Sequence, residues 1–309
     1  MMNMKKPDDR IIWADTRSAL ENGHKKNKRN GTISIRYRDL FEKGLPLFAW
    51  FFKKTVWYQK GHKLALNIEL IEHQLNYPDL PGAFHHFRIL HLTDLHLDTD
   101  PKIVDAIILA IQNSTYDLCV ITGDFRMKTH GQFQNMMPNL QKLLKNISAE
   151  QGIYATLGNH DSFLMVREFE ALGIKVLCNE TVALEKNNQQ IILTGIDDVH
   201  YYFTDNAIRC LESSPAGFKM ALVHSPELFD IAAENLYNLY LCGHTHGGQI
   251  CLPGGKPIFT HLHNGKAYVK GLWKKEDMVG YTGQGCGNSG IPIRFHSQSE
   301  VTIFELLRI

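Results

Sequence analysis

Phe87-Arg88-Ile89-Leu90-His91-Leu92-Thr93-Asp94-Leu95-His96 decides how this chain folds. The apolar run from Phe87 to Leu92 reads as a buried strand, and it breaks off into a polar pair, Asp94 and His96. In extended backbone, residues i and i+2 leave on the same side, so both side chains can reach one ion. The same strand-then-motif unit recurs along the chain. Leu118–Ile121 ends at Gly123-Asp124, and Ile153–Leu157 at Gly158-Asn159-His160-Asp161. Met220–Val223 ends at His224, and Leu239–Cys242 at Gly243-His244-Thr245-His246.

Helical spacing fills the gaps between the early strands: Ile103–Ile111 behind Pro101, the stripe Leu140, Leu143, Leu144 and Ile147, and Phe163–Leu172. The polar motifs therefore stand just past the carboxyl ends of buried strands, where α/β sheets place their sites. Ile191–Ile196, Gln249–Leu252, Met278–Thr282 and Val301–Leu306 read as further strands, the last three with no helix between them. This mix predicts an α/β chain built as a two-sheet β-sandwich flanked by helices.

A lone Asp-x-His or Gly-Asp means little, and a lone His-x-His is usually a surface accident. Five such clusters, each following an apolar strand, are different. Polar residues capping helices do not account for four histidines at these junctures. Gly123, Gly158 and Gly243 each precede a candidate ligand, where a missing Cβ permits a sharp turn and close backbone approach. Carboxylates, imidazoles and one amide oxygen together suffice for two divalent metals that share a bridge.

The clusters and their order resemble the calcineurin-like metallophosphoesterase superfamily, over roughly residues 86–309. That resemblance implies the four-layer αββα fold. It also implies that Asp94, His96, Asp124 and His246 hold one metal, and Asp124, Asn159, His224 and His244 the other, with Asp124 bridging. An all-N/O donor set with four imidazoles suits Mn, Fe or Zn better than Mg or a thiophilic metal. The implied reaction is cleavage of a phosphodiester or pyrophosphate by in-line attack of a metal-bridging hydroxide. His160 is not a ligand in the family pattern and is expected to stabilise the transition state or protonate the leaving group. Asp161 is expected to orient the His160 ring or to cap the following helix.

The second cluster departs from the common Gly-Asp-x-x-Asp pattern, reading Gly123-Asp124-Phe125-Arg126-Met127. Arg126 either faces substrate phosphate, which its planar fork suits, or is a surface arginine beside a helix. His200, in Ile196-Asp197-Asp198-Val199-His200, either lines the pocket or belongs to core or surface. The extended run Gly243-His244-Thr245-His246-Gly247-Gly248-Gln249-Ile250 resembles the bacterial subgroup of envelope-associated phosphoesterases and a UDP-diacylglucosamine pyrophosphatase of lipid A synthesis. After it, Leu252–Asp277 carries five lysines with Phe259, Tyr268 and Trp273, and reads as a lid or a solvated hairpin.

Composition sets the bounds. A chain of 309 residues with 44% hydrophobic and 21% charged residues can bury a large core. The formal net charge of +1 gives no global basic field, so nucleic acid is a poor partner and a nuclease the weaker hydrolase reading. A metal-free protein-interaction scaffold is the alternative from another class, against which the complete ligand set speaks. The six cysteines form no Cys-x-x-Cys pair, and Cys119 and Cys242 read as small buried hydrophobes.

Residues 1–40 are polar, include His24-Lys25-Lys26-Asn27-Lys28-Arg29-Asn30, and read as a solvated tail without a secretory signal. Residues 41–85 form a second unit. Its stretch 45–58, rich in aromatics beside Lys53, Lys54, Lys60 and Lys63, suits either a helix in the lipid interface or one packed on the domain with its lysines outward. Leu64, Leu66, Ile68 and Leu70 alternate as a lead-in strand to the catalytic domain, 86–309. The expected location is the cytoplasm, with peripheral contact at the inner face of the membrane on the first of those readings.

Overall fold

Neighbouring residues of the strand Phe87–Leu92 enter different cores: Ile89 packs between two sheets, and Leu90 lies under helices on an outer face. A strand buried on both sides must be apolar throughout, which is why the sequence shows continuous runs here rather than alternation. The computed structural model describes residues 7–23, 25–29, 31–34, 53–258, 260, 262 and 264–309.

One six-stranded sheet runs, edge to edge, Ile68–Tyr77, Ser299–Arg308, Phe87–Leu92, Leu118–Thr122, Ile153–Thr156 and Ile174–Val176. Its last four strands are parallel, and Ser299–Arg308 runs antiparallel to Phe87–Leu92. The other sheet runs Gly271–Lys275, Met278–Thr282, Leu239–Cys242, Lys219–Leu222, Gln189–Gly195 and Glu180–Lys186. Its four central strands are parallel, and each edge strand is antiparallel to its neighbour.

Val120, Tyr154 and Phe304 from the first sheet meet Leu193, Leu222 and Leu241 from the second in the central core. The helices Ile103–Ile111, Met137–Leu144 and Met165–Ala171 cover the outer face of the first sheet. Asp205–Glu212 and Phe229–Glu234 cover that of the second. The result is the helix–sheet–sheet–helix sandwich expected from the sequence. Cys119 and Cys242 are fully buried, and burial pushes both thiols up.

Two expectations for the first 85 residues are corrected. Leu64 and Leu66 belong to the helix Val56–Leu66, whose first turn is capped by Thr55 Oγ1 accepting from Tyr58 N–H at 3.2 Å. Gly61 and Ala65, buried one turn apart, let that helix approach Phe295 and Ile293 closely. The strand starts only at Ile68 and pairs along its whole length with Ser299–Arg308, so it is part of the catalytic sheet rather than a separate lead-in.

The polar tail is likewise a docked element over much of its length. Pro7–Asn22 forms a helix, and Lys25–Lys28 pairs with Gly31–Ser34. The helix buries Trp13 and Arg17, one turn apart, with Arg17 only 1% exposed. An arginine in the buried stripe hides the amphipathic pattern from a reading based on apolar periodicity. The calls on residues 1–6 and 35–52, including most of the aromatic-basic stretch, and on Phe259 lie outside the described residues. Among the described residues, no helix is long and apolar enough to cross a membrane.

Candidate metal centre

Five of the candidate ligands hold left-handed backbone: Asp94 at φ 51°, His96 at 40°, Asp124 at 58°, His244 at 73° and His246 at 51°. Each follows a strand that ends in the core, and the turn swings the side chain back over the strand end. Such conformations cost energy in residues other than glycine and gather where function demands them. Gly158 and Gly243 make room for this. A Cβ on Gly158 would stand 2.6 Å from Asp124 N, and one on Gly243 2.7 Å from Thr93 Cγ2.

The carboxyl ends of both sheets thereby converge. His246 Nε2 lies 3.4 Å from Asp94 Oδ1 and 3.2 Å from His96 Nε2. His224 Nε2 lies 3.2 Å from Asn159 Oδ1, 3.3 Å from His244 Nδ1 and 3.3 Å from Asp124 Oδ2. Asp124 Oδ2 also faces His96 Nε2 at 3.8 Å and His160 Nε2 at 3.9 Å. Asp94, His96 and His246 thus offer one cluster of donor atoms and Asp124, His224 and His244 another, each within 4.8 Å. His96, Asp124 and His160 make a third grouping that links them.

The outer nitrogens of these rings are engaged. His96 Nδ1 meets Arg126 O and His224 Nδ1 meets Thr122 O, both at 2.7 Å. A carbonyl can only accept, so each Nδ1 carries a proton and Nε2 is the nitrogen turned inward, where an ion would meet it. Asp94 Oδ2 accepts from Thr93 Oγ1 at 2.8 Å and from His244 N–H at 2.9 Å, while its Oδ1 is buried with no hydrogen-bond partner.

The electrostatics call for cations. Burial disfavours charge on His224, yet Asp124, Asp94 and Asp198 push it up to about 10. Burial raises Asp94, and the charge of Asp124 adds to that. An orphaned carboxylate oxygen and imidazole nitrogens crowded against one another are what divalent ions would satisfy, so the donor set fits metal.

Of the remaining site residues, Asp161 and Arg126 fall differently from expectation. His160 Nδ1 rests on Met127 O and its ring is 15% exposed, which turns Nε2 toward the centre. Asp161 does not orient that ring. Its carboxylate accepts from the N–H groups of Asp124 at 2.7 Å, Phe125 at 2.9 Å and Gly158 at 2.8 Å, tying two ligand loops together. Burial and the neighbouring Asp124 charge push it up to about 6.

Arg126 is neither surface nor substrate-facing. It is 2% exposed and donates to the carbonyls of His160, Gly131 and Thr129, because a guanidinium in a closed loop serves best where carbonyls lack partners. His200 is buried with its ring centroid 4.0 Å from that of His244.

Sequence reasoning missed Arg294. Fully buried, it donates to the carbonyls of Gln284, Gly285, Gly287 and His246 and so holds the His246 loop. Nothing in Ile291-Pro292-Ile293-Arg294 signals that role. Part of the supposed lid is packed: Thr245 Oγ1 donates to Val269 O at 2.6 Å, and Tyr268 stacks on Trp273 at 4.3 Å.

Buried carboxylates and imidazoles gathered at strand ends in this fold define a metal-dependent hydrolase of phosphate esters. The profile of calcineurin-like phosphoesterases matches residues 87–248. The chain is 32% identical over 250 residues to the uncharacterized metallophosphoesterase YkuE of Bacillus subtilis, spanning 77% of this chain and 85% of the relative. It is 32% identical over 233 residues to the uncharacterized metallophosphoesterase YkoQ of the same organism, spanning 71% and 83%. With the phosphodiesterase YaeI of Escherichia coli, identity is 30% over 256 residues, spanning 77% and 88%. The chain belongs to the calcineurin-like phosphoesterase family.

Proposed function

We propose that the protein cleaves a phosphodiester or pyrophosphate with the help of two divalent ions, Mn, Fe or Zn. Asp94, His96, Asp124 and His246 would hold one ion, and Asp124, Asn159, His224 and His244 the other. The observation that carries this reading is Asp124 Oδ2, which faces His224, His96 and His160 at 3.3, 3.8 and 3.9 Å and so stands where two donor sets meet. A pair of bound ions would supply Lewis acidity toward phosphoryl oxygens and make water nucleophilic at neutral pH.

The protein's own residues do the rest. His160, anchored through Nδ1 on Met127 O, presents Nε2 from the more open side of the centre. As an imidazolium it gives that proton to the leaving oxygen. Asp124 Oδ1 accepts from the His160 backbone N–H at 2.9 Å, which couples the position of the acid to that of the bridging carboxylate. Asp161 and Arg126 fix the two loops from behind.

A lipid-linked nucleotide such as UDP-diacylglucosamine is the substrate we favour. One surface supports it: Val56 and Trp57 are 78% and 64% exposed, and Lys60 lies over the Trp57 ring. Exposed aromatic and basic residues side by side suit an anionic membrane surface. The test is product analysis by mass spectrometry after Mn²⁺-loaded protein meets UDP-diacylglucosamine, with Asp124→Ala as blank. Release of UMP and a lipid monophosphate by wild type alone is expected. No release, from protein that still turns over a small diester, would overturn the lipid-linked substrate and leave soluble diesters and nucleotides.

A further inference from the structure

The helix Pro7–Asn22 precedes the matched family region, yet one of its side chains spans the seam between the two sheets. The Arg17 guanidinium is buried, with Cζ 3.7 Å from the centroid of the Tyr202 ring. Its Nη2 donates to Gly158 O at 3.2 Å and Asp161 O at 2.9 Å, in the loop after the strand Ile153–Thr156 of the first sheet. Its Nη1 pairs at 2.5 Å with Asp197, in the loop after the strand Gln189–Gly195 of the second. Trp13 Nε1 donates to the other oxygen of Asp197 at 2.7 Å. Glu21, one helical turn beyond Arg17, accepts from Arg17 Nε at 2.9 Å, from Ser162 Oγ at 2.6 Å and from Phe163 N–H at 2.8 Å.

The two carbonyls that Arg17 holds bracket Asn159 and His160, so both ends of that dipeptide are fixed from behind. On the side of the metal centre, the same loop is tied to Asp124. The Asp161 carboxylate accepts from the Asp124 N–H at 2.7 Å, and Asp124 Oδ1 accepts from the His160 N–H at 2.9 Å. His160 therefore approaches the centre from a backbone gripped on two sides. A guanidinium can serve a carboxylate and two carbonyls at once because its planar fork carries five donors in fixed directions.

We propose that Arg17 is a positioning residue that sets His160 against the leaving oxygen of the substrate. The inference rests on the phosphohydrolase reading above and extends the machinery of that site to a helix outside the family region. Arg17 lies behind the loop and acts through the backbone of residues 158–161. Proton donation needs hydrogen-bond reach between the acid and the leaving atom, and misplacement by about 1 Å can cost about a hundredfold in rate. The candidate ligands Asp94, His96, His224, His244 and His246 sit on other loops, which leaves ion binding largely to them.

The experiment measures kcat on bis(p-nitrophenyl) phosphate, whose phenolate leaves without a proton, and on diphenyl phosphate, whose phenolate leaves poorly without one. Wild type, Arg17→Lys, His160→Gln and the double variant are compared as full chains at saturating Mn²⁺, with metal content measured directly. Arg17→Lys is expected to keep its metal, to lose about tenfold on diphenyl phosphate and to lose less than about twofold on the nitrophenyl ester. In the His160→Gln background the same substitution is expected to shift either ester by less than about twofold, because residues that act as a unit are not additive. An arginine that serves only the fold would lower both esters by one factor, in either background. That result, unchanged kcat on both esters, or loss of metal from Arg17→Lys overturns the proposal. Glu21→Gln, which loosens the same loop at Ser162 and Phe163, repeats the comparison if Arg17→Lys does not fold. A His160→Gln variant equal to wild type on diphenyl phosphate, or a wild type that cleaves only the nitrophenyl ester, would remove the acid and the proposal with it. Absence of any diester turnover in metal-loaded wild type would instead overturn the phosphohydrolase reading itself.

Discussion

Arg17 and Asp161 are 144 positions apart, yet Arg17 Nη2 donates to the backbone carbonyl of Asp161 at 2.9 Å. The same nitrogen reaches Gly158 O at 3.2 Å, and Nη1 pairs with Asp197 at 2.5 Å. Both carbonyls border Asn159 and His160. A helix that precedes the family region therefore grips a ligand loop from behind, with Glu21 adding bonds to Ser162 Oγ at 2.6 Å and Phe163 N–H at 2.8 Å.

Arg17→Met would remove the cation from Asp197, itself 5% exposed. Breaking a buried ion pair by removing one partner costs about 3–5 kcal/mol. The urea midpoint of the variant is expected to fall accordingly. Arg17→Lys should recover only part, because one ammonium cannot serve Asp197 and two carbonyls with a planar fork. An unchanged midpoint in Arg17→Met would show that the Arg17 contacts contribute nothing to the fold.

Asp124→Ala and His160→Gln should separate holding metal from moving protons. The first removes the carboxylate shared by both donor sets, and both metal content and turnover are expected to drop. The second should keep its metal while kcat falls by about a hundredfold or more on an alkyl ester, the usual scale of general acid catalysis. On a p-nitrophenyl ester the loss should be much smaller, since that group leaves without a proton. Equal losses on both esters would contradict proton donation by His160.

Gly158→Ala tests the packing behind the site. The added Cβ would stand 2.6 Å from Asp124 N and 2.8 Å from Asp124 Cγ, so the carboxylate must shift. Weaker metal binding is expected, read as a higher Mn²⁺ concentration for half-maximal activity. The same requirement for Mn²⁺ as wild type would show that the loop gives way at no cost to the site.

The central motifs were legible because each follows a strand buried on both faces, and such strands write themselves as unbroken apolar runs. Asp94, His96, Asp124 and the rest stood out as candidate ligands by following those runs, and the family resemblance supplied their division between two ions. The roles of Arg17, Arg126 and Arg294 did not stand out. Each is buried and leans on backbone carbonyls, which leave no trace in residue identity, and the Asp197 that pairs with Arg17 lies 180 positions away. Asp161 misled for a related reason: its partners are backbone N–H groups of another loop, which spacing along the chain does not reveal. Leu64 and Leu66 happened to alternate into Ile68, and the break between helix and strand at Asn67 carries no Gly or Pro.

The exposed end of the helix Val56–Leu66 yields a further expectation. Trp57→Glu combined with Lys60→Glu should reduce cosedimentation with phosphatidylglycerol vesicles, because apolar insertion and charge attraction are lost together. High salt should weaken the wild-type interaction in the same assay. Binding that is identical in wild type and variant would remove this surface from any membrane role.

The most direct test of the account is p-nitrophenol release from bis(p-nitrophenyl) phosphate as Mn²⁺ is returned to chelator-stripped protein, beside Asp124→Ala. Turnover that rises from background and saturates with metal in wild type, while the variant stays at background, is the result expected of a metal centre built around Asp124. Turnover in the stripped protein equal to that of the loaded one, or a variant as active as wild type, would contradict it.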